Sequence, residues 1–209
     1  MPGAEPFAVL DDLGRATMDW LELNFVIYHA AYRTIPQPKR VKLDRFEQTG
    51  RIDRVSDLAD IPAQWGVSNV YADIGASFTF TVLTLPRLAA GTIVTLIKGL
   101  GPDKMLRGTN SVEYGSPQWQ IEAFRRLQMP ADLVDQFGLR EIAPHKAAIL
   151  GLDGARLYGL DQRNYRRFGI EAGAIETIVA DWRARGGLRS NLAYGWTHRR
   201  CRLCLQASL

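Results

Sequence analysis

The chain has 209 residues, 46% hydrophobic and 23% charged, which is enough to bury one sizeable core and excludes a disordered or collagen-like chain. Net charge is +4, but Arg199, Arg200 and Arg202 lie in a tail with no acid after Asp181, and without those three it falls to +1. The basic excess is therefore terminal, which argues against a nucleic-acid-binding surface. Cys201 and Cys204 do not make a disulfide framework and residues 1–10 carry no secretory signal, so the chain reads as cytoplasmic.

A helix is predicted over Asp11 to Trp20, with Asp11 or Asp12 as its cap. Leu23 to Tyr28 reads as a buried strand, followed at once by His29. A proline-rich basic loop spans Thr34 to Lys42, and Leu43 to Trp65 holds one or two short helices stopped by Gly66. The second strand is Asn69 to Ile74, closed by Gly75 and followed by an irregular stretch. Pro86 opens a helix to about Lys98, which Gly99, Gly101 and Pro102 end. The third strand, Lys104 to Gly108, leads into Thr109-Asn110-Ser111. Ser116-Pro117 starts a helix to Leu127, Met129-Pro130 another ended by Gly138, and Pro144 a third over His145 to Leu150. Asp153 to Tyr158 adds a turn or two, Gln162 to Phe168 is polar and arginine-rich, and Ile170 to Arg185 is an amphipathic helix through Ile175, Ile178, Val179 and Trp182. The apolar stretch Phe78 to Ile97 is long enough for a membrane span, but it contains Pro86 and Arg87. A central arginine costs about 2.5 kcal/mol or more on insertion, so no membrane association is expected.

Strands alternating with helices predict parallel pairing and an α/β fold. A closed (β/α)₈ barrel needs eight strands and about 250 residues. The expectation is a partial (β/α)₈ TIM-type barrel, about its last three strands, over residues 1–160. A helical extension over 161–196 and a basic tail over 197–209 complete the predicted organisation.

Each strand ends in a polar residue of catalytic type: His29, Asp73 and Asn110. In parallel α/β folds ligands bind at the carboxyl ends of the strands, so the trio is a candidate catalytic set gathered near the helix start at Pro117. The alternative is structural: His29 and Asp73 as caps and Asn110 in a tight turn. His145 reads as a solvated or partly packed residue. Cys201-x-x-Cys204 has metal-ligand spacing, but only His198 is near and zinc wants four ligands. Trp119, Ile121 and Phe124 read as helix-to-sheet packing.

Several segments carry a family resemblance: Phe25-Val-Ile-Tyr-His29, Asn69-Val-Tyr-Ala-Asp-Ile-Gly75, Arg107-Gly-Thr-Asn-Ser111, Tyr114-Gly-Ser-Pro-Gln-Trp-Gln-Ile121, Ile149-Leu-Gly-Leu-Asp-Gly-Ala-Arg-Leu-Tyr158 and Arg189-Ser-Asn-Leu-Ala-Tyr-Gly-Trp196. From about Arg15 to Trp196 the chain resembles the C-terminal part of the amidohydrolase superfamily, in the amidohydrolase-related branch that includes aminocarboxymuconate-semialdehyde-type decarboxylases. The resemblance implies a (β/α)₈ barrel binding a divalent metal, often zinc, that activates a water for attack on a carbonyl-type carbon or orients a carboxylate for loss. In that family a His-x-His pair and a middle-strand histidine bind metal, a later histidine acts on substrate or water, and an aspartate after the last strand binds metal and takes protons. His29 matches the later histidine, and Asn110 falls where the aspartate belongs.

Two departures bear on activity. The only histidines are His29, His145 and His198, so there is no His-x-His. The family's Trp-Gly-Thr-Asp reads Arg107-Gly108-Thr109-Asn110, and an amide cannot take the proton a carboxylate can. The expectation is a metal-dependent hydrolase by descent whose isolated chain holds no stoichiometric metal and is inactive. The alternatives are a non-catalytic half-barrel or interaction module and a decarboxylase of the same superfamily. A small-molecule substrate is expected only if an N-terminal half-barrel, or a second copy in a homo-oligomer, completes the site. Open strand edges predict self-association.

Overall fold

The computed structural model describes residues 10–33, 38–139, 143–160 and 172–186. It falls into two compact units, Met1–Thr109 with Gln120–Leu160, and Asn110–Trp119 with Asp161–Leu209. In the first unit β1 (Phe25–Ile27) pairs parallel with β2 (Val70–Asp73), Phe25 opposite Val70 and Ile27 opposite Ala72. β2 pairs parallel with β3 (Met105–Leu106), giving the order β1-β2-β3. Parallel neighbours need crossovers. The first contains α2 (Lys39–Thr49) and α3 (Val55–Trp65), the second α4 (Gly75–Val82) and α5 (Pro86–Leu100), and α1 (Leu13–Asp19) precedes β1. The protein is thus mixed α/β, mostly helical around a small three-strand parallel sheet.

Successive residues of a strand point to opposite faces. One face carries Val70, Ala72 and Met105, none more than 1% exposed, and α5 packs on both β2 and β3. α5 is buried from Leu88 to Ile97 and lies close against α3. A Cβ on Gly99 would fall 2.2 Å from the Ala59 carbonyl oxygen, so only glycine permits this approach of the two helices. The other face carries Val26, Tyr71, Asp73 and Leu106. Leu106 is covered by a π-helical turn (Ala148–Leu152) and α10 (Asp153–Leu157), which follow α9 (Ala143–Ala147), whereas Val26 is 37% exposed. Asn69 ties the entrance of the sheet together, its Nδ2 donating to the carbonyls of Thr17, Trp20 and Leu23 at 2.9–3.1 Å. α7 (Gln118–Arg126) and α8 (Ala131–Phe137) follow β3 in the chain.

Several boundaries differ from the sequence expectation. β1 is three residues long because Tyr28 already begins a 3-10 turn (Tyr28–Ala31). The stretch after Gly75, expected to be irregular, is helix α4. Its hydroxyl-bearing residues disfavour helix in isolation. Here Ser77 and Thr81 donate back to the carbonyls of Ile74 and Ser77, and the single Thr79 hydroxyl proton is shared between the Gly75 carbonyl and Gln120. α2 starts at Lys39, inside the expected loop, and Gly50 at φ 69° divides it from α3. Phe124 packs edge-on against Phe78 of α4, ring centroids 5.3 Å apart. The apolar stretch Phe78 to Ile97 is broken between α4 and α5, and among the described residues no helix is long and apolar enough to cross a membrane.

In the second unit the described residues form α6 (Ser111–Tyr114) and α11 (Ala172–Ala184). Ile178 and Trp182, part of the expected apolar stripe of α11, are 68% and 47% exposed. His198, Cys201 and Cys204, the segment Gln162 to Phe168 and the ending Arg189 to Trp196 lie outside the described residues.

Candidate functional site

The first N–H groups of a helix have no acceptor within it. At the start of α4 two of the expected site residues supply acceptors. The Gly75 N–H donates to Asp73 Oδ1 at 2.9 Å, and the Ala76 N–H donates to His29 Nδ1 at 2.9 Å. The Gly108 N–H, just past β3, donates to the same Asp73 oxygen at 2.7 Å. Asp73 thus joins the end of β2, the start of α4 and the backbone after β3. A Cβ on Gly108 would lie 2.5 Å from the Asp73 carboxylate oxygens, so the motif glycine is required by this close approach.

His29 reaches α4 through an unusual turn. His29, Ala30 and Ala31 have φ of 56°, 51° and 57°, a left-handed conformation that costs non-glycine residues roughly 1–2 kcal/mol each. Such strain persists where the surroundings dictate it. Ala30 is fully buried, and the rings of Tyr28 and His29 lie with centroids 3.6 Å apart.

The carboxyl ends of β1 and β2 therefore bring His29 and Asp73 to one helix start, where among the described residues each lines a different cavity. Asp73 lines a cavity of about 230 Å³ with Val26, Leu106, Ile149, Gly154 and Tyr158. His29 lines a separate groove of about 500 Å³ with Leu13, Ala16, Ile27 and Tyr32. Asn110 belongs to the second unit, where it precedes α6 at φ 49°, a left-handed conformation asparagine tolerates better than most residues. His145, on α9, is half-buried.

Two buried polar features escaped the sequence reading. Gln120, fully buried, accepts at Oε1 from Arg107 Nη2 at 2.6 Å and from the Thr79 hydroxyl at 2.9 Å, and its Nε2 donates to the Thr109 carbonyl at 2.9 Å. The Arg107 guanidinium lies over the Phe78 ring at 5.3 Å, with Nε and Nη1 buried and unbonded. Burial pushes Arg107 down to about 10, opposed by Asp73, and leaves it charged at neutral pH. The sequence signal was the arginine standing where the resembled motif has tryptophan. The second feature is Asp153 beside the 230 Å³ cavity, its side chain wholly buried. One oxygen accepts from Arg156 Nη1 at 3.2 Å and Oδ2 has no partner. Burial raises the Asp153 carboxyl above its ordinary value, against the pull of Arg156.

These contacts set the chemistry. Because His29 Nδ1 accepts from Ala76, the neutral ring carries its proton on Nε2. In that tautomer Nε2 is a donor, neither a base nor a metal ligand. Asp73 Oδ1 is engaged by two backbone amides. Among the described residues no three His, Cys, Asp or Glu side chains gather as a metal site. The donor set on the described residues thus does not fit the divalent metal that the family resemblance implies. Set against family models, curated proteins and solved structures, the chain matches none.

Proposed function

We propose that the chain is an amidohydrolase-related partial (β/α)₈ barrel, a metal-dependent hydrolase by descent, whose carboxyl-edge residues hold the fold instead of a complete metal site. The observation that carries the reading is the parallel sheet with His29 and Asp73 at the carboxyl ends of adjacent strands, both bonded to the start of α4. The motif segments around Asp73, Gly108 and Gln120 add to it, since each has a buried polar or close-packed task. The reading implies a partner that supplies the missing histidines, either an N-terminal half-barrel or a second copy. The edge it would meet is that of β1, where Leu23, Val26 and Tyr28 are 50%, 37% and 63% exposed. Open strand edges of this kind favour pairing. The test is elemental analysis of the chain purified in the presence of zinc. The reading expects no stoichiometric zinc. About one zinc per chain, lost in His29→Ala, would overturn it and make the chain a metalloenzyme in its own right.

A further inference from the structure

Another cavity of the first unit lies against α3 and shares Leu10 and Arg33 with the His29 groove. It has about 560 Å³, within the size range of small-molecule sites, and α3 supplies Asp57, Ile61, Gln64 and Trp65 to its wall. Lys42 of α2 lines it and is only 4% exposed. A buried lysine is ordinarily paired, or extends its ammonium to water. Among the described residues Lys42 Nζ makes no ion pair and no hydrogen bond. It sits over the Tyr32 ring, 4.9 Å from the centroid, and the Tyr32 hydroxyl is itself buried without a partner. Burial lowers the Lys42 ammonium from its ordinary value, Asp53 opposing and Arg33 adding to the shift.

Of the acids in the same wall, Asp53 and Asp57 are already matched, and Asp11 is exposed. Asp53 is held by Arg45 at 2.6 Å, and Asp57 by Arg51 at 2.9 Å while its second oxygen accepts from the Arg54 N–H. Arg54, which also lines the cavity, is held at φ 63°. Ile61, Gln64 and Trp65 add an apolar and aromatic wall from the last turns of α3. The buried stem of Lys42 thus carries into the cavity an ammonium that no described carboxylate pairs.

We propose that this cavity binds a small monoanionic aromatic carboxylate, with the carboxylate on Lys42 Nζ and the flat body against Ile61 and Trp65. The carboxylate supplies the counter-charge that the ammonium lacks. Asp53 and Asp57 in the wall disfavour a dianion such as phosphate, and the aromatic wall favours a planar apolar body. The residues assigned to the ligand, Lys42, Ile61 and Trp65, belong to α2 and α3 and not to the strand ends, although Arg33 of the wall also lines the His29 groove.

The probe is benzoate, titrated calorimetrically into the full chain, with benzamide and inorganic phosphate as controls. Benzoate is expected to bind saturably at one per chain, with benzamide at least about tenfold weaker and phosphate weaker still, because the charge contact is partly desolvated. Lys42→Met is expected to melt at or above the wild-type temperature and to lose at least about tenfold in benzoate affinity. Equal affinity for benzoate and benzamide, phosphate binding tighter than benzoate, unchanged affinity in Lys42→Met, or no saturable benzoate binding would each overturn the proposal. Reductive methylation followed by mass spectrometry reads the same contact without a variant. Benzoate is expected to slow Lys42 methylation, and an unchanged rate would overturn the proposal.

Discussion

The same three strands present two different faces. On one, Val70, Ala72 and Met105 are sealed beneath α5 and carry no polar group. On the other, Val26 is exposed, Asp73 is half-buried, and only Leu106 at the β3 end is covered, by the segment Ala148–Leu157. Packing accounts for the first face. On the second, directed hydrogen bonds take over: one carboxylate oxygen accepts from two backbone amides and so fixes where β2, α4 and β3 meet. A residue of catalytic type at a strand end can thus be a backbone anchor, and its position alone does not separate the two roles.

The contrast is broken most forcefully by truncation on either face. Met105→Ala removes a fully buried side chain and is expected to cost about 2–5 kcal/mol in urea denaturation. Val26→Ala is expected to cost less than about 1 kcal/mol. Equal losses would mean that the second face is as well packed as the first.

Gly108→Ala comes next. Its Cβ must displace the Asp73 carboxylate, for an expected loss of about 1–3 kcal/mol. Asp73→Ala removes the obstacle together with the bonds, so the double variant should lose less than the two single losses combined. Strict additivity in that cycle would show that the two residues are not coupled.

The smallest expected effect is a pH dependence. Burial raises the folded-state Asp153 carboxyl above its unfolded value, so the folded protein holds this proton more tightly. The resulting penalty is absent below the ordinary carboxyl range near about 4 and grows as pH rises through the raised value. Wild-type stability should therefore fall across that window relative to Asp153→Asn. Arg156, Asp103 and His145 are the charged neighbours that act on the group. A wild type that gains stability on the variant as pH rises would reverse the assignment.

The parallel order of β1, β2 and β3 was legible in the sequence, because apolar β-branched runs alternate with helix starts at Pro86 and Ser116. Strand ends were not, since Leu23 precedes the pairing that starts with Phe25 opposite Val70, and Tyr28 leaves the strand for the turn Tyr28–Ala31. Helix α4 was hidden by its threonines, whose hydroxyls are satisfied only once the helix exists. Of the site, His29 and Asp73 stood out as polar residues closing apolar strands. Their shared task did not, because His29 meets Ala76 across 47 positions of sequence. Lys42 read as the end of a basic loop, and only the packing of α2 against Tyr32 reveals it as buried.

The central claim is that His29 anchors helix α4 and does not ligate metal. A two-bond ¹H–¹⁵N spectrum of the histidine rings, with the His29 signals identified by their loss in His29→Ala, tests it directly. The account predicts that neutral His29 has a protonated Nε2 and an unprotonated, hydrogen-bonded Nδ1, both unmoved by one equivalent of zinc. An unprotonated Nε2 that shifts stoichiometrically with zinc would contradict it.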